Sequence, residues 1–278
     1  MLAIGLALAS SLVYGVSDFL GGSKSRSMPL LTVLLVSQGS ALVLLAAIVI
    51  VRAEGPPGGT FLVFALIAGL GEAIGVAALY RGLAVGVMSI VAPVAATAPV
   101  VPVVAAVAIG ELPGPIQGAG IALGVAGIAI ISFDPSGERS GDVRRSLVFG
   151  LLTALGFGSF LVALDGASEG SVPWALLVAR LTTVAVFAAV FVVRRPRVAV
   201  RRSDLPVLAL IGLLVVGADS MYAVASTKGL LSAVAVLSSL YPVVTIGLAR
   251  CYLRERLRPH QQVGVAAALG GAVAISAA

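Results

Sequence analysis

The sequence predicts an all-α membrane protein, with ten transmembrane helices arranged as two inverted five-helix repeats. Three observations lead there. Of 278 residues, 59% are hydrophobic and 11% charged, and the mean hydropathy is +1.13; soluble domains carry roughly 25% charged residues. A soluble domain of this size could not hide so much apolar surface, so its solvent must be largely lipid. Apolar runs of about 20 residues, the length of a membrane span, recur between charged or Pro/Gly breaks. Punctuating polar residues also recur in register in the two halves.

The spans fall at about 2–22, 29–51, 60–81, 86–109, 114–132, 146–165, 172–193, 205–227, 231–251 and 259–277. The first contains Ala7-Leu-Ala9, which mimics a signal cleavage site, but no charged segment precedes it; a retained helix is expected. The second runs without interruption to Arg52. The third carries Glu72 near its middle and closes at Arg81-Gly82. The fourth is interrupted by Pro93, Pro99 and Pro102, and the fifth follows Pro115. Between Phe133 and Arg145 lies the longest connection, polar and rich in Gly, Pro and Ser. The seventh span carries Arg180, the eighth Asp219 and the ninth Tyr241-Pro242, and the tenth begins at Pro259. Three units result: a first repeat over 1–133, a connecting loop over 134–145 and a second repeat over 146–278.

The halves match in local blocks. Glu111, Pro115, Gln117 and Gly120 align with Glu255, Pro259, Gln261 and Gly264 at a constant offset, and Pro99-Val-Val aligns with Pro242-Val-Val. Glu72 with Arg81-Gly82 aligns with Asp219 with Lys228-Gly229, and Gly5-Leu6 with Gly150-Leu151. Hydropathy alone does not explain this order of Glu, Pro, Gln and Gly. Five spans per repeat is odd, so two fused copies sit in opposite orientations, as in many secondary transporters.

These residues resemble the drug/metabolite transporter superfamily, EamA-like branch. The resemblance rests on the ten spans, the Pro-Val followed by Glu and Pro-x-Gln, the Tyr14-Gly-Val-Ser-Asp18-Phe run and Arg180. It covers essentially the whole chain. It implies a ten-helix transporter with both termini cytoplasmic, and export more than uptake. Substrates across the group include amino acids, sugars, nucleotides and xenobiotics. One departure is that Gly-Glu-Arg-Leu is replaced by Gly110-Glu111-Leu-Pro in the first copy, while the second keeps Arg254-Glu255-Arg256-Leu257.

A charge at bilayer depth costs at least about 2.5–3.5 kcal/mol, so it usually faces a cavity or a partner. Glu72 and Asp219 are therefore the first candidates to bind a cationic group or exchange protons. The alternative is that each merely fixes helix packing through a Ser, an Arg or a backbone group. Arg180 either binds a substrate carboxylate or balances Asp219, or snorkels to the interface. Gln38 occupies the corresponding place in the second span. Tyr241, before Pro242, is the tyrosine best placed to line a cavity; Tyr14, Tyr80 and Tyr222 read as anchors or packing residues. Asp18 and Asp165 lie near span ends and suggest gating or loop capping. Pro99 and Pro242 are candidate hinges, since proline deletes a backbone hydrogen bond.

Lys and Arg gather in loops after odd-numbered spans, including Lys24, Arg26, Arg81, the Arg194–Arg202 cluster and Arg254–Arg258; loops after even spans hold Arg52 and Lys228. The positive-inside rule then turns both termini outward, against what the resemblance implies. The net charge of +6 suits anionic headgroups rather than nucleic acid, because no basic groove with interleaved aromatics accompanies it. One Cys and one His exclude an internal disulfide and leave no His/Cys metal cluster. With no nucleotide-binding loop and no nucleophile–base pair, the reading is a cofactor-free, non-enzymatic secondary transporter of the inner or plasma membrane, moving a small polar or amphipathic metabolite by alternating access and driven by protons. An uncoupled facilitator or a non-transporting partner subunit are the alternatives. Small-residue surfaces could serve a homodimer, or equally the two halves of one monomer.

Overall fold

The structure, a computed structural model, describes residues 2–53, 55–58, 60–98, 100–101, 104–105, 114–132, 140–168, 171–195, 201–228, 240–254 and 257–276. Among the described residues lie ten helices: α1 (Leu2–Ser27), α2 (Leu30–Arg52), α3 (Phe61–Val85), α4 (Met88–Ala95), α5 (Pro115–Ser132), α6 (Ser140–Ser168), α7 (Val172–Arg194), α8 (Leu205–Lys228), α9 (Tyr241–Tyr252) and α10 (Pro259–Ser276). Six of them are long and apolar enough to cross a membrane. The chain is an all-helical, multi-pass integral membrane protein.

Prolines mark the starts. Pro173 and Pro242 occupy the first turns of α7 and α9, where a missing N–H removes no helical bond. Ala53, Arg195 and Arg254 adopt positive φ after α2, α7 and α9, the left-handed turn that often ends a helix. Pro242 thus opens the described part of its helix rather than interrupting it.

The fourth span is interrupted, as its prolines predict, although Pro93 lies within α4: the helix stops at Ala95, and Thr97, Ala98, Val100 and Val101 donate to carbonyls three residues back. The sequence gives the reason. Pro99 and Pro102 have no N–H to offer the carbonyls of Ala95 and Ala98, so tighter bonds from Ala98 and Val101 satisfy them. Pro99 itself lies outside the described residues. Two expectations need correction. Arg81 is not in a loop, because α3 continues to Val85. The connection over 134–145 is helical from Ser140 onward.

The packing interleaves the halves. The most extensive helix pairs are α3 with α6, α5 with α10, α1 with α8, α3 with α7, α2 with α8 and α2 with α7. Exchanging each helix for the one five places along maps this set onto itself: α1 meets α8 as α6 meets α3, and α2 meets α8 as α7 meets α3. At the α3–α6 crossing, a Cβ on Gly156 would stand 2.5 Å from the Gly75 nitrogen, so glycine alone permits that approach. Gly212 of α8 likewise lies against the Ser37 carbonyl of α2.

One end of the bundle is tied together by polar contacts. Lys24 pairs with Asp204 at 2.8 Å, Arg26 donates to the Leu83 carbonyl at 3.1 Å, and Val87 N–H donates to Ser146 Oγ at 2.9 Å. The loops after α1, α3 and α7 therefore share one face, here termed the basic face. The largest apolar core, including Leu34, Leu79, Tyr80, Leu83, Met88 and Phe187, lies between that face and the middle of the bundle.

Candidate functional site

Tyr14, Glu72, Arg180 and Asp219 each sit about thirteen or fourteen residues from the basic-face end of their helix, roughly 20 Å at the helical rise. Four separate helices thus deliver polar side chains to one depth inside an apolar bundle. Gln38, entering from the start of α2, reaches the same group.

Arg180 is the hub. Its Nη1 pairs with Glu72 Oε1 and donates to Gln38 Oε1. Its Nη2 lies 3.4 Å from Asp219 Oδ2. The guanidinium side chain is 4% exposed, Glu72 9% and Asp219 19%. Arginine suits such a place: it stays charged, and its planar fork serves several oxygens at once. Its Nε is buried without a hydrogen-bond partner among the described residues.

Each acid has a second donor. Thr183, one turn beyond Arg180 on the same face of α7, donates to Glu72 Oε2 at 3.0 Å and lies 2.9 Å from the Gly69 carbonyl of the same helix. Tyr14 of α1 donates to Asp219 Oδ1. Ser10 fixes α1 on α8 beside this contact by donating to the Ala218 carbonyl at 3.0 Å.

Tyr241 stands one layer out, its ring edge-on to that of Tyr14 with centroids 6.3 Å apart. Asp18 lies on α1 one turn from Tyr14 toward the basic face. It is half-buried within α1. Asp165 belongs to α6, but its side chain lies outside the described residues. Of the candidates, the structure therefore brings Glu72, Asp219, Arg180 and Gln38 into contact, sets Tyr241 beside them and Asp18 toward the basic face. Sequence reasoning missed Thr183 and read Tyr14 as an anchor. The signals were present: a Thr at three residues from a buried Arg, and a phenol at mid-depth that needs a partner.

No group of three or more His, Cys, Asp or Glu placed to hold a metal occurs among the described residues. Chemically, the cluster can hold a proton or a cationic group. Two carboxylates face one guanidinium, so with both acids ionised one negative charge is in excess.

No curated protein matches the sequence. Among solved structures, one crystal structure is 18% identical and superposes with a TM-score of 0.67, covering 98% of this chain and 96% of that one; the likeness concerns the fold. The family model described as "EamA-like transporter family" matches residues 1–133 and again 144–277, which leaves little of the chain outside the two matches. On that coverage, the chain belongs to the EamA-like transporter family.

Proposed function

We propose that the protein is a proton-coupled secondary transporter that moves a small polar or amphipathic metabolite by alternating access around Glu72, Arg180 and Asp219. The single observation that carries this reading is the charge imbalance: two acids and one arginine buried together at mid-depth. A purely structural site in lipid would be expected to balance its charges. An excess negative charge is instead stabilised by a bound proton or a cationic substrate group.

The interleaved packing bears on how such a protein would move. The sequence halves cannot rock as two lobes, because α3 is packed on α6 and α7, while α1 and α2 are packed on α8. We assign these mixed groups as the moving bodies, with the extensive α2–α7 contact forming part of the seam between them. Arg180–Glu72 lies within one body and Tyr14–Asp219 within the other; Arg180–Asp219 and Arg180–Gln38 cross the seam. That repeat counterparts meet here supports the inverted-repeat reading, since a pseudo-two-fold axis brings equivalent positions together. On the basic side, the core of Leu34, Tyr80, Leu83 and Met88 must part for access, and Asp18 on α1 is the gating candidate; Asp165 as a gate and Pro99 as a hinge rest on the sequence alone, while Pro242, in the first turn of α9, removes no helical bond there.

The test is accumulation in proteoliposomes under an imposed pH gradient, across a panel of amino acids, sugars and cationic drugs. Gradient-driven accumulation that collapses with a protonophore is expected for at least one class. Flux that ignores the gradient would instead make the protein a facilitator.

A further inference from the structure

We infer that the two central acids have different tasks: Asp219 takes up and releases the proton, while Glu72 stays ionised as the fixed counter-ion of Arg180. This rests on the coupled-transport reading above and refines it.

Both oxygens of Glu72 are committed to α7. One pairs with Arg180 Nη1 and the other accepts from Thr183 at 3.0 Å. The single Thr183 hydroxyl proton also has the Gly69 carbonyl of α3 and the Ala179 carbonyl of α7 within reach. Protonating Glu72 would leave a buried guanidinium without its closest counter-charge, the costly half of a broken buried pair.

Asp219 is held differently. Its contact with Arg180 Nη2 is 3.4 Å, beyond the usual 2.7–3.2 Å of an N–H···O bond. Its other oxygen accepts from Tyr14, a neutral donor. Its side chain is about twice as exposed as that of Glu72. Protonating Asp219 leaves behind a Glu72–Arg180 pair that is already neutral. The groups facing Asp219 are Arg180 from α7, Glu72 from α3, Tyr14 and beyond it Asp18 from α1, and Tyr241 of α9 through its contact with Tyr14; α2 contributes Gln38, which does not titrate. Arg180 is the one cation among them, and Glu72 engages it first.

The proton step balances simply. A proton from water adds to a carboxylate oxygen of Asp219, and the contact with Arg180 Nη2 is released. The proton occupies Oδ2, the oxygen that faced Arg180, and Tyr14 keeps donating to Oδ1. Tyr14 is thus a positioning residue.

The experiment is pH-difference infrared spectroscopy on the full chain in liposomes without substrate, following the C=O stretch of protonated carboxyls. Asp18→Asn is measured alongside to remove that acid's own contribution. A titrating band is expected that disappears in Asp219→Asn, persists in Glu72→Asp, and moves its midpoint in Tyr14→Phe. Glu72→Gln is expected to move the band to lower pH, because Asp219 becomes the sole counter-charge of Arg180, and Glu72→Asp keeps the test decisive where Glu72→Gln does not fold. A band that survives Asp219→Asn overturns the inference, as does the loss of the band in Glu72→Asp or the absence of any titrating band in the unmodified protein. Because no substrate is used, a negative result here alongside proton-driven transport would count against the division of tasks alone. A positive result without transport would count against the coupling.

Discussion

Glu72 and Asp219 occupy corresponding places in the two halves, yet their surroundings differ in grip. Around Glu72 the helices touch backbone to backbone: added Cβ atoms on Gly69 and Gly71 would stand 2.5 Å from the Ala179 carbonyl and 2.8 Å from the Phe160 nitrogen. Around Asp219, a Cβ on Gly217 would meet nothing within 4 Å, and the helix is held by Ser10 and Tyr14. The lesson is that duplicated sequence positions need not keep equal roles. The arginine that serves both acids stands on α7, and its counterpart on α2 is Gln38, a neutral side chain. One arginine between two acids lets one acid become permanent and leaves the other free to change.

The largest effect that would break this comparison comes from the shared residue. Arg180→Gln leaves both carboxylates without their buried cation and should destabilise the protein by about 3–5 kcal/mol, read as thermal unfolding in detergent. Next, Glu72→Gln should cost roughly 2 kcal/mol more than Asp219→Asn, since it strands the guanidinium's closest partner; equal losses would erase the proposed difference. Packing sharpens the same contrast. Gly156→Ala at the α3–α6 crossing should cost about 1–3 kcal/mol because backbone, not a flexible side chain, must move. Gly217→Ala should be neutral or stabilise by about 0.5–1 kcal/mol, as alanine favours the helix and meets open space.

A smaller effect lies at the basic face. The hydrogen bond from Lys24 holds the Asp204 carboxyl below its usual range, with the Lys24 charge adding to it. A lowered folded pKa gives stability that is present above the unfolded value and lost as pH falls through the folded one. Thermal stability should therefore decline slightly as pH falls below the ordinary carboxylate range, and Asp204→Asn should remove that component. The smallest perturbation is chemical labelling. Cys251 is the one cysteine in the sequence and is exposed near the basic-face end of α9. If that face is cytoplasmic, as the charge distribution predicts, an impermeant maleimide should label Cys251 in inside-out vesicles and leave it unlabelled in intact cells.

Much of the fold was legible because lipid simplifies the problem. Every span must satisfy its own backbone, so apolar length alone locates helices such as α2 and α7. The site was legible for the same reason: Glu72, Arg180 and Asp219 stand out as charges in apolar runs. What local sequence could not give was rotation. Whether Arg180 reaches Gln38 or the interface depends on how α2 and α7 turn toward each other, and that is fixed by contacts such as Gly212 against Ser37. Thr183 and Tyr14 look ordinary until a partner helix brings a carboxylate to them. The break in the fourth span was legible in its prolines, since each lacks a backbone donor; Pro93 is nonetheless accommodated within α4.

The most direct test of the central claim is substrate-triggered proton movement in proteoliposomes, comparing the unmodified protein with Glu72→Gln and Asp219→Asn. The account predicts a pH change on addition of one substrate class, abolished in Asp219→Asn. Proton movement and substrate flux unaltered in both variants would contradict it and make the two acids structural.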